Sequence, residues 1–433
     1  MMAKNKIKYS IVVATRNRDK TLRFLLKSLA LQSFPQNNYE VVTVNYGGTS
    51  TTEKLVKSFN KRNFKYLYVD ESGIFNESHS KNIGIKSSKG KVIIVTNADI
   101  IFTKDTLKEF DIEYSKSGKN YLYQVIRYDM PEEFDVNKNF DGLLNRTISL
   151  RKFKSQDETA CGDFQAAEKS SWFSVNGYDE LMSGWGGMDL DLVDRMRMVN
   201  HQQKWIKNSN LLIYHQYHPT KAPAKTQANL FLRSLNKYPK VNYKNWGEVN
   251  KAKRLFVAIH DMNNHKNRIK LINQFKNIFL GLDIELAFNS SKDKNPLTPK
   301  SFFQSSKVKA LKGNCIGYLE IDKLHLDVFK NLKVIKEKRG LVDLILTMNY
   351  MLEGAPHKSP VQYNLRYFDM RLVKILSSIN LKSLKYFYTE ELISIAQKIG
   401  IDICEIDTSK ENFENTYHTI KFTIEKIKYK YRL

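Results

Sequence analysis

Two carboxylates, Asp189 and Asp191, open a predicted helix directly after a glycine-rich loop in the stretch GWGGMDLDL. Glycines such as Gly186 and Gly187 let a backbone approach a ligand closely, and Trp185 offers a flat apolar face. The helix dipole favours the charged form of carboxylates in the first turn, where one can accept a proton from a hydroxyl as a general base. The other can serve as a helix cap. The loop is therefore a candidate catalytic site.

A third carboxylate, Asp99, follows a strongly apolar stretch in TNADII, where burial would be costly unless it faces a crevice. A carboxylate at the end of a strand can hold a divalent metal that bridges two phosphates. The stretch IYHQYHP ends another apolar run and supplies His215 and His218, whose imidazoles suit Mn²⁺. A turn role for Asp99 and simple hydrogen bonding by the histidines are the alternatives.

Two arginines, Arg16 and Arg18, follow the first apolar run in ATRNR. Guanidinium groups bind phosphate oxygens with two parallel hydrogen bonds, so the pair could contact a nucleotide diphosphate. A solvated surface pair is the alternative.

Alternating strands and helices must position these side chains. Short β-branched runs such as YSIVVAT, YEVVTVNYGG and GKVIIVTNADIIF predict strands. Helices are expected between them, one of them around Glu77 to Ser87. This order predicts an α/β fold with a mostly parallel, Rossmann-like sheet and helices on both faces. Ligands bind beyond the carboxyl ends of such strands. We therefore expect residues 15–18, 45–48 and 97–99 to line one crevice.

The length of 433 residues predicts two domains, which we place at residues 1–250 and 251–433. The second begins with the strand RLFVAIH, has a further strand in DIELAF, and is expected to have a helix followed by a strand in SLKYFYTEELISIAQKIGIDICEI. It is expected to be smaller, mixed and mainly helical, without a motif for catalysis. Its closing stretch, TIKFTIEKIKYKYRL, predicts a basic amphipathic helix. Such a helix could lie on an anionic membrane or pack on its own domain.

The net charge of +25 suggests a polyanion, an anionic membrane or a phosphorylated ligand as partner. We expect no nucleic-acid partner, because no stripe of basic and aromatic residues is recognisable. Three cysteines, Cys161, Cys315 and Cys404, fit neither a disulfide framework nor a zinc site. With no apolar run long enough to span a membrane, the expected location is cytoplasmic, with peripheral contact at the inner membrane face as an alternative.

Five segments together resemble glycosyltransferases of family 2 with the GT-A fold, including β-1,4-galactosyltransferases and bacterial chondroitin and hyaluronan polymerases. ATRNR is similar to the end of the first nucleotide-binding strand, and GIFNESHSKNIGI to the segment that supports the uracil. TNADI stands where the family has its Asp-x-Asp metal motif. GWGGMDLDL resembles the Trp-Gly-Gly-Glu-Asp signature of the acceptor side, and YHQYHP the histidine-bearing strand end.

The resemblance implies a role for individual residues. Asp99 and His215 would be metal ligands for Mn²⁺ or Mg²⁺, Asp189 the catalytic base, and Asp191 and His218 supporting residues. The nucleotide sugar would be bound by Thr15, Arg16, Arg18, Asn45, Phe75, Asn82, Asn97, Ala98, Trp185, Gly186 and Gly187.

Three positions depart from the family pattern. Asn97 replaces the first acid of the metal motif, Asn45 and Tyr46 replace an acidic pair that contacts the base, and Met188 replaces the glutamate before the catalytic base. These changes bear on the nucleobase contact and on the acceptor.

The resemblance implies an inverting, metal-dependent hexosyltransferase. It would move a hexose or N-acetylhexosamine, with galactose or N-acetylgalactosamine favoured, from a UDP-sugar to a hydroxyl. The acceptor would be an oligosaccharide or lipid-linked glycan of a bacterial surface polysaccharide or glycoconjugate. A degenerate transferase that only binds sugar nucleotides or glycans is the alternative.

Overall fold

The computed structural model describes residues 7–71, 75–156, 158, 162–184, 186–219, 225–242, 244–249, 253–259, 273–275, 277–278, 282–288, 315–321, 344–349, 362–378 and 403–407. The chain divides into two compact units, Met1–Lys251 and Ala252–Leu433. Within the described parts of the chain, no helix is long and apolar enough to cross a membrane.

Strands and helices alternate through the first unit. Its strands are β1 (Tyr9–Thr15), β2 (Tyr39–Tyr46), β3 (Phe64–Val69), β4 (Val92–Asn97), β5 (Ile100–Phe102), β6 (Tyr121–Val125), β7 (Arg127–Asp129), β8 (Lys154–Gln156), β9 (Gln165–Glu168), β10 (Gln202–Ile206) and β11 (Ile213–His215). Its helices are α1 (Asp19–Ala30), α2 (Thr51–Ser58), α3 (Glu77–Ser87), α4 (Thr106–Ser117), α5 (Val136–Leu144), α6 (Lys169–Ser174), α7 (Met188–Met198) and α8 (Lys225–Leu235).

The main sheet of this unit has seven strands in the order β10-β6-β9-β4-β1-β2-β3. All neighbours are parallel except β9, which runs antiparallel between β4 and β6. The parallel strands β1, β2 and β4 are almost wholly buried, as their continuous apolar runs predict. Their carboxyl ends meet at one edge, as the sequence predicts for the crevice.

Helices cover both faces of this sheet. Ile11 and Val13 of β1 share a core cluster with Leu22 and Leu25 of α1. The residue between them, Val12, points to the opposite face because side chains alternate along a strand. There α3 approaches so closely that a Cβ on Gly84 would lie 2.3 Å from Val12 Cγ1. Glycine at this position brings α3 and its side chains close to the sheet.

The predicted strand GKVIIVTNADIIF is two strands, β4 and β5, which belong to different sheets. β5 joins a smaller sheet of order β5-β11-β7-β8. The chain changes sheets at Ala98 and Asp99, so Asp99 lies at a corner of the backbone. Sequence periodicity did not reveal this break, because apolar residues continue on both sides of the corner.

The second unit contains a mixed sheet. Its strands are β12 (Lys253–Ile259), β13 (Leu282–Phe288), β14 (Cys315–Ile321), β15 (Leu344–Asn349), β16 (Gln362–Asp369) and β17 (Ile403–Asp407), and α9 (Met370–Ser378) follows β16. The order is β13-β12-β14-β16-β15-β17. β16 is antiparallel to both β14 and β15, whereas the other pairs are parallel.

The sequence predicts β12, β13 and β17 but not β14, β15 and β16. Where the sequence indicated mainly helix, the described residues of this unit are mainly strand. β14 pairs only with segments distant in the chain, so local periodicity carries little signal for it. β15 and β16 are consecutive antiparallel strands and were missed although they pair with each other. The predicted basic helix at residues 419–433 lies outside the described residues.

Candidate active site

The small sheet brings the end of β11 beside the Asp99 corner. His215, the last residue of β11, pairs with Ile100 of β5 on one side and with Asp129 of β7 on the other. The backbone N–H of Gln216 donates to the Asp99 carbonyl at 2.9 Å. Strand pairing therefore places Asp99, Asp129 and His215 at one end of this sheet.

Asp99, His215 and His218 form a group that could hold a metal ion. Asp99 Oδ2 lies 3.1 Å from His218 Nε2 and 3.9 Å from His215 Nε2. One ligand atom from each of the three residues lies within 4.8 Å of the others, and no other such group occurs among the described residues. His218 thus belongs to the same group as the two ligands that the resemblance implies.

The chemistry of these donors fits a divalent cation. Asp99 Oδ1 is buried and has no hydrogen-bond partner among the described residues, which leaves an oxygen able to coordinate an ion. A carboxylate with two imidazoles suits Mn²⁺ or a similar transition metal. The residues present therefore fit the metal that the resemblance implies.

The charges around Asp99 favour its ionised form. Burial acts to raise its pKa, but the hydrogen bond from His218 and the charges of His215, His218 and Arg18 outweigh burial and lower it. The hydrogen bond to Asp99 in turn raises the pKa of His218, against the effect of burial. Asp99 and His218 therefore favour each other's charged forms.

A second layer of charged residues lies behind His215. Asp129 Oδ1 lies 3.1 Å from His215 Nδ1, and Arg127 Nε lies 2.8 Å from the same oxygen. Burial would raise the pKa of Asp129, but the bonds to His215, Arg127 and Gln156 lower it to about 2. An Nδ1–H held by Asp129 would leave Nε2 of His215, on the side of Asp99, with the lone pair that a metal ion needs.

Arg127 also links this layer to Asp163, which precedes β9 and is almost completely buried. Asp163 accepts a hydrogen bond from Asn97 Nδ2 at 2.9 Å. The Asn97 amide therefore contacts Asp163, where the resemblance implies a contact with the nucleotide sugar. Beside it, Ala98 is buried in the core cluster.

Asp189 is the second residue of α7 and faces α3 across the sheet edge. Its Oδ1 lies 3.6 Å from Nζ of Lys81, which in turn lies 2.6 Å from Glu77 Oε1. The Asp189 side chain is 24% exposed, whereas that of Lys81 is fully buried. Burial raises the pKa of Asp189, Lys81 opposes that rise, and the charges of Glu77 and Asp163 add to it. Asp189 is therefore a partly accessible carboxylate with enhanced proton affinity.

Asp191, two residues further, has a structural role. It is 1% exposed, pairs with Arg195 Nε at 2.7 Å and accepts a hydrogen bond from Asn236 Nδ2 at 2.6 Å. Arg195 also donates to the backbone carbonyls of Val175 and Gly177. Asp191 therefore anchors α7 to the loop before it, and of the two carboxylates only Asp189 is accessible.

The loop before α7 has left-handed backbone at Gly184, Gly186 and Gly187, with φ of 75°, 88° and 84°. A side chain would strain these conformations. Asn229 of α8 fixes the loop, since its Nδ2 donates to the carbonyls of Ser183 at 3.1 Å and Gly186 at 2.8 Å. Trp185, which the resemblance places beside the sugar, lies outside the described residues.

The two arginines after β1 differ in their surroundings. Arg16 donates to the backbone carbonyls of Tyr46 and Glu71, and its guanidinium lies 5.5 Å from the Tyr46 ring and 5.7 Å from the Phe75 ring. Arg16 thus ties together the loops after β2 and β3, where the sequence suggested a phosphate contact. Arg18 is exposed, and its charge acts on Asp99.

Three further residues expected at the nucleotide are buried. Asn45 bonds Thr49 and Tyr66 at 2.9 Å each. Asn82 donates to Tyr178 O at 2.9 Å and Glu180 Oε1 at 3.0 Å, and accepts from Tyr178 N–H at 2.8 Å. These bonds give both amides a structural role in shaping loops. Thr15 Oγ1, at the end of β1, is buried and has no hydrogen-bond partner among the described residues.

Two family models match the first unit. Residues 10–172 match "Glycosyl transferase family 2", and residues 143–219 match "N-terminal domain of galactosyltransferase". These matches indicate a glycosyltransferase. The prediction of an α/β fold of the GT-A type, with a mostly parallel sheet, is confirmed.

Curated relatives align with parts of the chain. Poly(ribitol-phosphate) beta-N-acetylglucosaminyltransferase TarS of Staphylococcus aureus is 33% identical over 104 residues, which are 24% of this chain and 18% of TarS. Validoxylamine A glucosyltransferase of Streptomyces hygroscopicus subsp. limoneus is 24% identical over 218 residues, 43% of this chain and 47% of that protein. The chain thus spans less than a fifth of one relative and about half of the other.

Among solved structures, S. aureus TarS 1-349 in complex with UDP is 15% identical, with a TM-score of 0.41. The alignment covers 83% of this chain and 97% of that one.

The family 2 motifs led to Asp99, Asp189 and the histidines, but not to the charged residues behind them. Lys81, Glu77, Asp129, Arg127 and Asp163 were missed. Lys81 and Glu77 stand four residues apart on a predicted helix, a spacing that indicates an ion pair. Asp129 and Asp163 carried no comparable signal, because pairing between distant strands brings them to the site.

Proposed function

We propose that the first unit is a metal-dependent inverting glycosyltransferase. It transfers a hexose or N-acetylhexosamine from a UDP-sugar to a hydroxyl of a glycan. The observation that carries this proposal is the pair of unlike carboxylate sites at one sheet edge. One is a carboxylate with two imidazoles, and the other is a separate, partly accessible carboxylate at the start of a helix. The family match supports the reaction class.

Asp99, His215 and His218 would hold the metal, and Asp129 keeps His215 oriented for it. When bound, Mn²⁺ or Mg²⁺ supplies positive charge that stabilises a diphosphate leaving group. Arg18, exposed beside Asp99, adds a positive charge on the same side.

Asp189 would act as the general base. Its carboxylate accepts the proton of the acceptor hydroxyl as that oxygen attacks the anomeric carbon from the face opposite the UDP. A direct displacement inverts the anomeric centre and requires one base, and Asp191 is engaged elsewhere. The buried surroundings of Asp189 give it a stronger affinity for the proton than an exposed aspartate has.

The acceptor we propose is a growing glycan or glycopolymer of a bacterial surface, which is in keeping with the TarS relative named for poly(ribitol-phosphate). We place the reaction in the cytoplasm, with the basic C-terminal segment as a candidate membrane contact.

A panel of UDP-sugars tests this proposal. We expect slow UDP release from one hexose or N-acetylhexosamine donor, faster release with acceptor, and loss of release when EDTA removes the metal. Release should fall in Asp189→Asn. Asp194→Asn, on the same helix and partly exposed, is its matched control and should retain release. UDP binding without release from any donor, with or without glycan acceptors, would favour the sugar-nucleotide-binding alternative.

A further inference from the structure

A buried lysine lies beside the proposed base. Lys81 is on α3, its side chain has no solvent exposure, and its Nζ lies 2.6 Å from Glu77 and 3.6 Å from Asp189. The ammonium also lies over the face of the Tyr178 ring, with Nζ 5.1 Å from the ring centroid. A lysine without solvent is costly to charge unless anions compensate it, so its position needs an explanation.

The two anions around Lys81 differ in distance and exposure. Glu77 is at contact distance within the same helix, whereas Asp189 Oδ1 lies just beyond hydrogen-bonding distance. Glu77 and Asp189 are both partly exposed, at 19% and 24%. Both carboxylates therefore stabilise the Lys81 ammonium, Glu77 from the shorter distance.

We propose that Lys81 is a positioning residue whose charge, divided between Glu77 and Asp189, holds the Asp189 carboxylate ionised but still able to accept a proton. This inference rests on the proposed role of Asp189 as the base. A lysine bound directly to Asp189 would make the carboxylate a poor proton acceptor. Without the lysine, burial and the charges of Glu77 and Asp163 would favour the protonated carboxyl group.

The geometry supports this division of charge. Lys81 and Glu77 approach Asp189 from α3, and Asp163 approaches from the segment before β9. Behind Asp189, the backbone of Gly162 is so close that a Cβ there would lie 2.5 Å from Oδ2. Asp189 therefore has the Gly162 backbone close to Oδ2 and the Lys81 ammonium 3.6 Å from Oδ1.

Two substitutions should shift the pKa of Asp189 in opposite directions. Lys81→Met removes the cation, which raises the pKa of Asp189, so the acid limb of the kcat/KM profile moves to higher pH by about one unit or more. Glu77→Gln leaves Asp189 as the remaining anion for Lys81, so the limb moves to lower pH and the plateau rate falls. Lys86→Met, on the same helix beside Trp246, should leave the profile unchanged.

The experiment uses the full chain and two readouts. The first is the pH dependence of metal-supported UDP release. The second is the titration of Asp189 by NMR with ¹³Cγ-labelled aspartate, in which Asp189→Asn identifies its resonance. The NMR readout needs no turnover, so a chain that releases no UDP can still show the coupling.

Opposite shifts in both readouts would establish the role of Lys81. Opposite NMR shifts without UDP release would support the coupling and contradict the proposed function. An Asp189 resonance that titrates at the same pH in wild type and in folded Glu77→Gln would overturn the inference. Should Lys81→Met not fold, Lys81→Arg and Glu77→Gln supply the comparison, with Lys81→Arg expected to keep the limb near its wild-type position.

Discussion

Asp99 and Asp189 are both aspartates at the sheet edge of the first unit, yet their surroundings act in opposite directions. Two imidazoles lie within 3.9 Å of Asp99 Oδ2 and lower its pKa despite burial. Burial dominates at Asp189, where one shared ammonium 3.6 Å away does not prevent a raised pKa. Asp99 is thus suited to bind a cation, and Asp189 is suited to accept a proton.

The difference teaches how one residue type can perform two tasks in one site. Titratable groups whose environments separate their pKa values are candidates for distinct chemical roles. Here the two pKa values separate because Asp99 has two imidazoles nearby and Asp189 has one ammonium. The neighbouring carboxylates also matter, since Glu77 pairs with Lys81 and Asp129 contacts His215. The comparison fails if either carboxylate turns out to be merely structural, as Asp191 is.

The largest expected effect is on the free energy of unfolding and concerns Asp191, the structural aspartate two residues after Asp189. Asp191→Asn leaves the buried Arg195 charge without its anion, and we expect about 3–5 kcal/mol loss in the free energy of unfolding. All four tryptophans lie before residue 251, so intrinsic fluorescence during urea unfolding reports on the first unit.

The matched control for Asp191 is Asp194→Asn on the same helix. Asp194 pairs with Arg233 at 2.6 Å, with both side chains about one-third exposed, and its loss should cost about 1 kcal/mol or less. Equal destabilisation by the two substitutions would remove the distinction between Asp191 and its neighbours.

The next effect concerns metal binding at Asp99. Asp99→Asn removes the carboxylate of the cluster, and we expect Mn²⁺ affinity to fall by about 100-fold or more, beyond what loss of an outer residue causes. Titration calorimetry of the full chain with Mn²⁺ measures this. Asp105→Asn, a surface aspartate bonded to Ser33, is the control and should bind as wild type does. Unchanged affinity in Asp99→Asn would place the metal elsewhere.

A smaller effect is expected behind the histidine. Asp129→Asn presents an amide to His215 Nδ1, so the imidazole can adopt the tautomer whose Nε2 carries hydrogen and cannot bind metal. We expect a fall in Mn²⁺ affinity of about tenfold, at the lower end for residues that orient metal ligands. Mn²⁺ electron paramagnetic resonance measures free and bound ion directly. A loss as large as that in Asp99→Asn would make Asp129 itself a ligand.

The sequence predicted much of the fold of the first unit. β1 and α3 have the predicted limits, because a continuous β-branched run and an Asn cap before a helix are local signals. The break at Asp99 was missed, since it depends on β5 pairing with β11 more than one hundred residues later. In the second unit, β14 was missed for the same reason, since its partners β12 and β16 lie far from it in the chain.

In the candidate site, too, residues with a local sequence signal were predicted and residues brought in by distant pairing were not. Asp99 and the two histidines stand in or just after apolar runs, and Asp189 stands at the start of a predicted helix, so their types and positions pointed to them. The residues that set their charge are found only once the chain is folded. Arg16, Asn45 and Asn82 were expected at the nucleotide, but such polar residues beside a crevice can as readily bond the loops that form it.

The most direct test of the account compares Asp189→Asn with wild type in two assays on the same preparation, Mn²⁺ binding by calorimetry and Mn²⁺-dependent UDP release with glycan acceptor. The account predicts unchanged Mn²⁺ affinity and a fall in release of about 10²–10⁴-fold, the usual contribution of a general base. Release at the wild-type rate, or loss of Mn²⁺ binding together with release, would contradict the assignment of proton transfer to Asp189 and metal binding to Asp99.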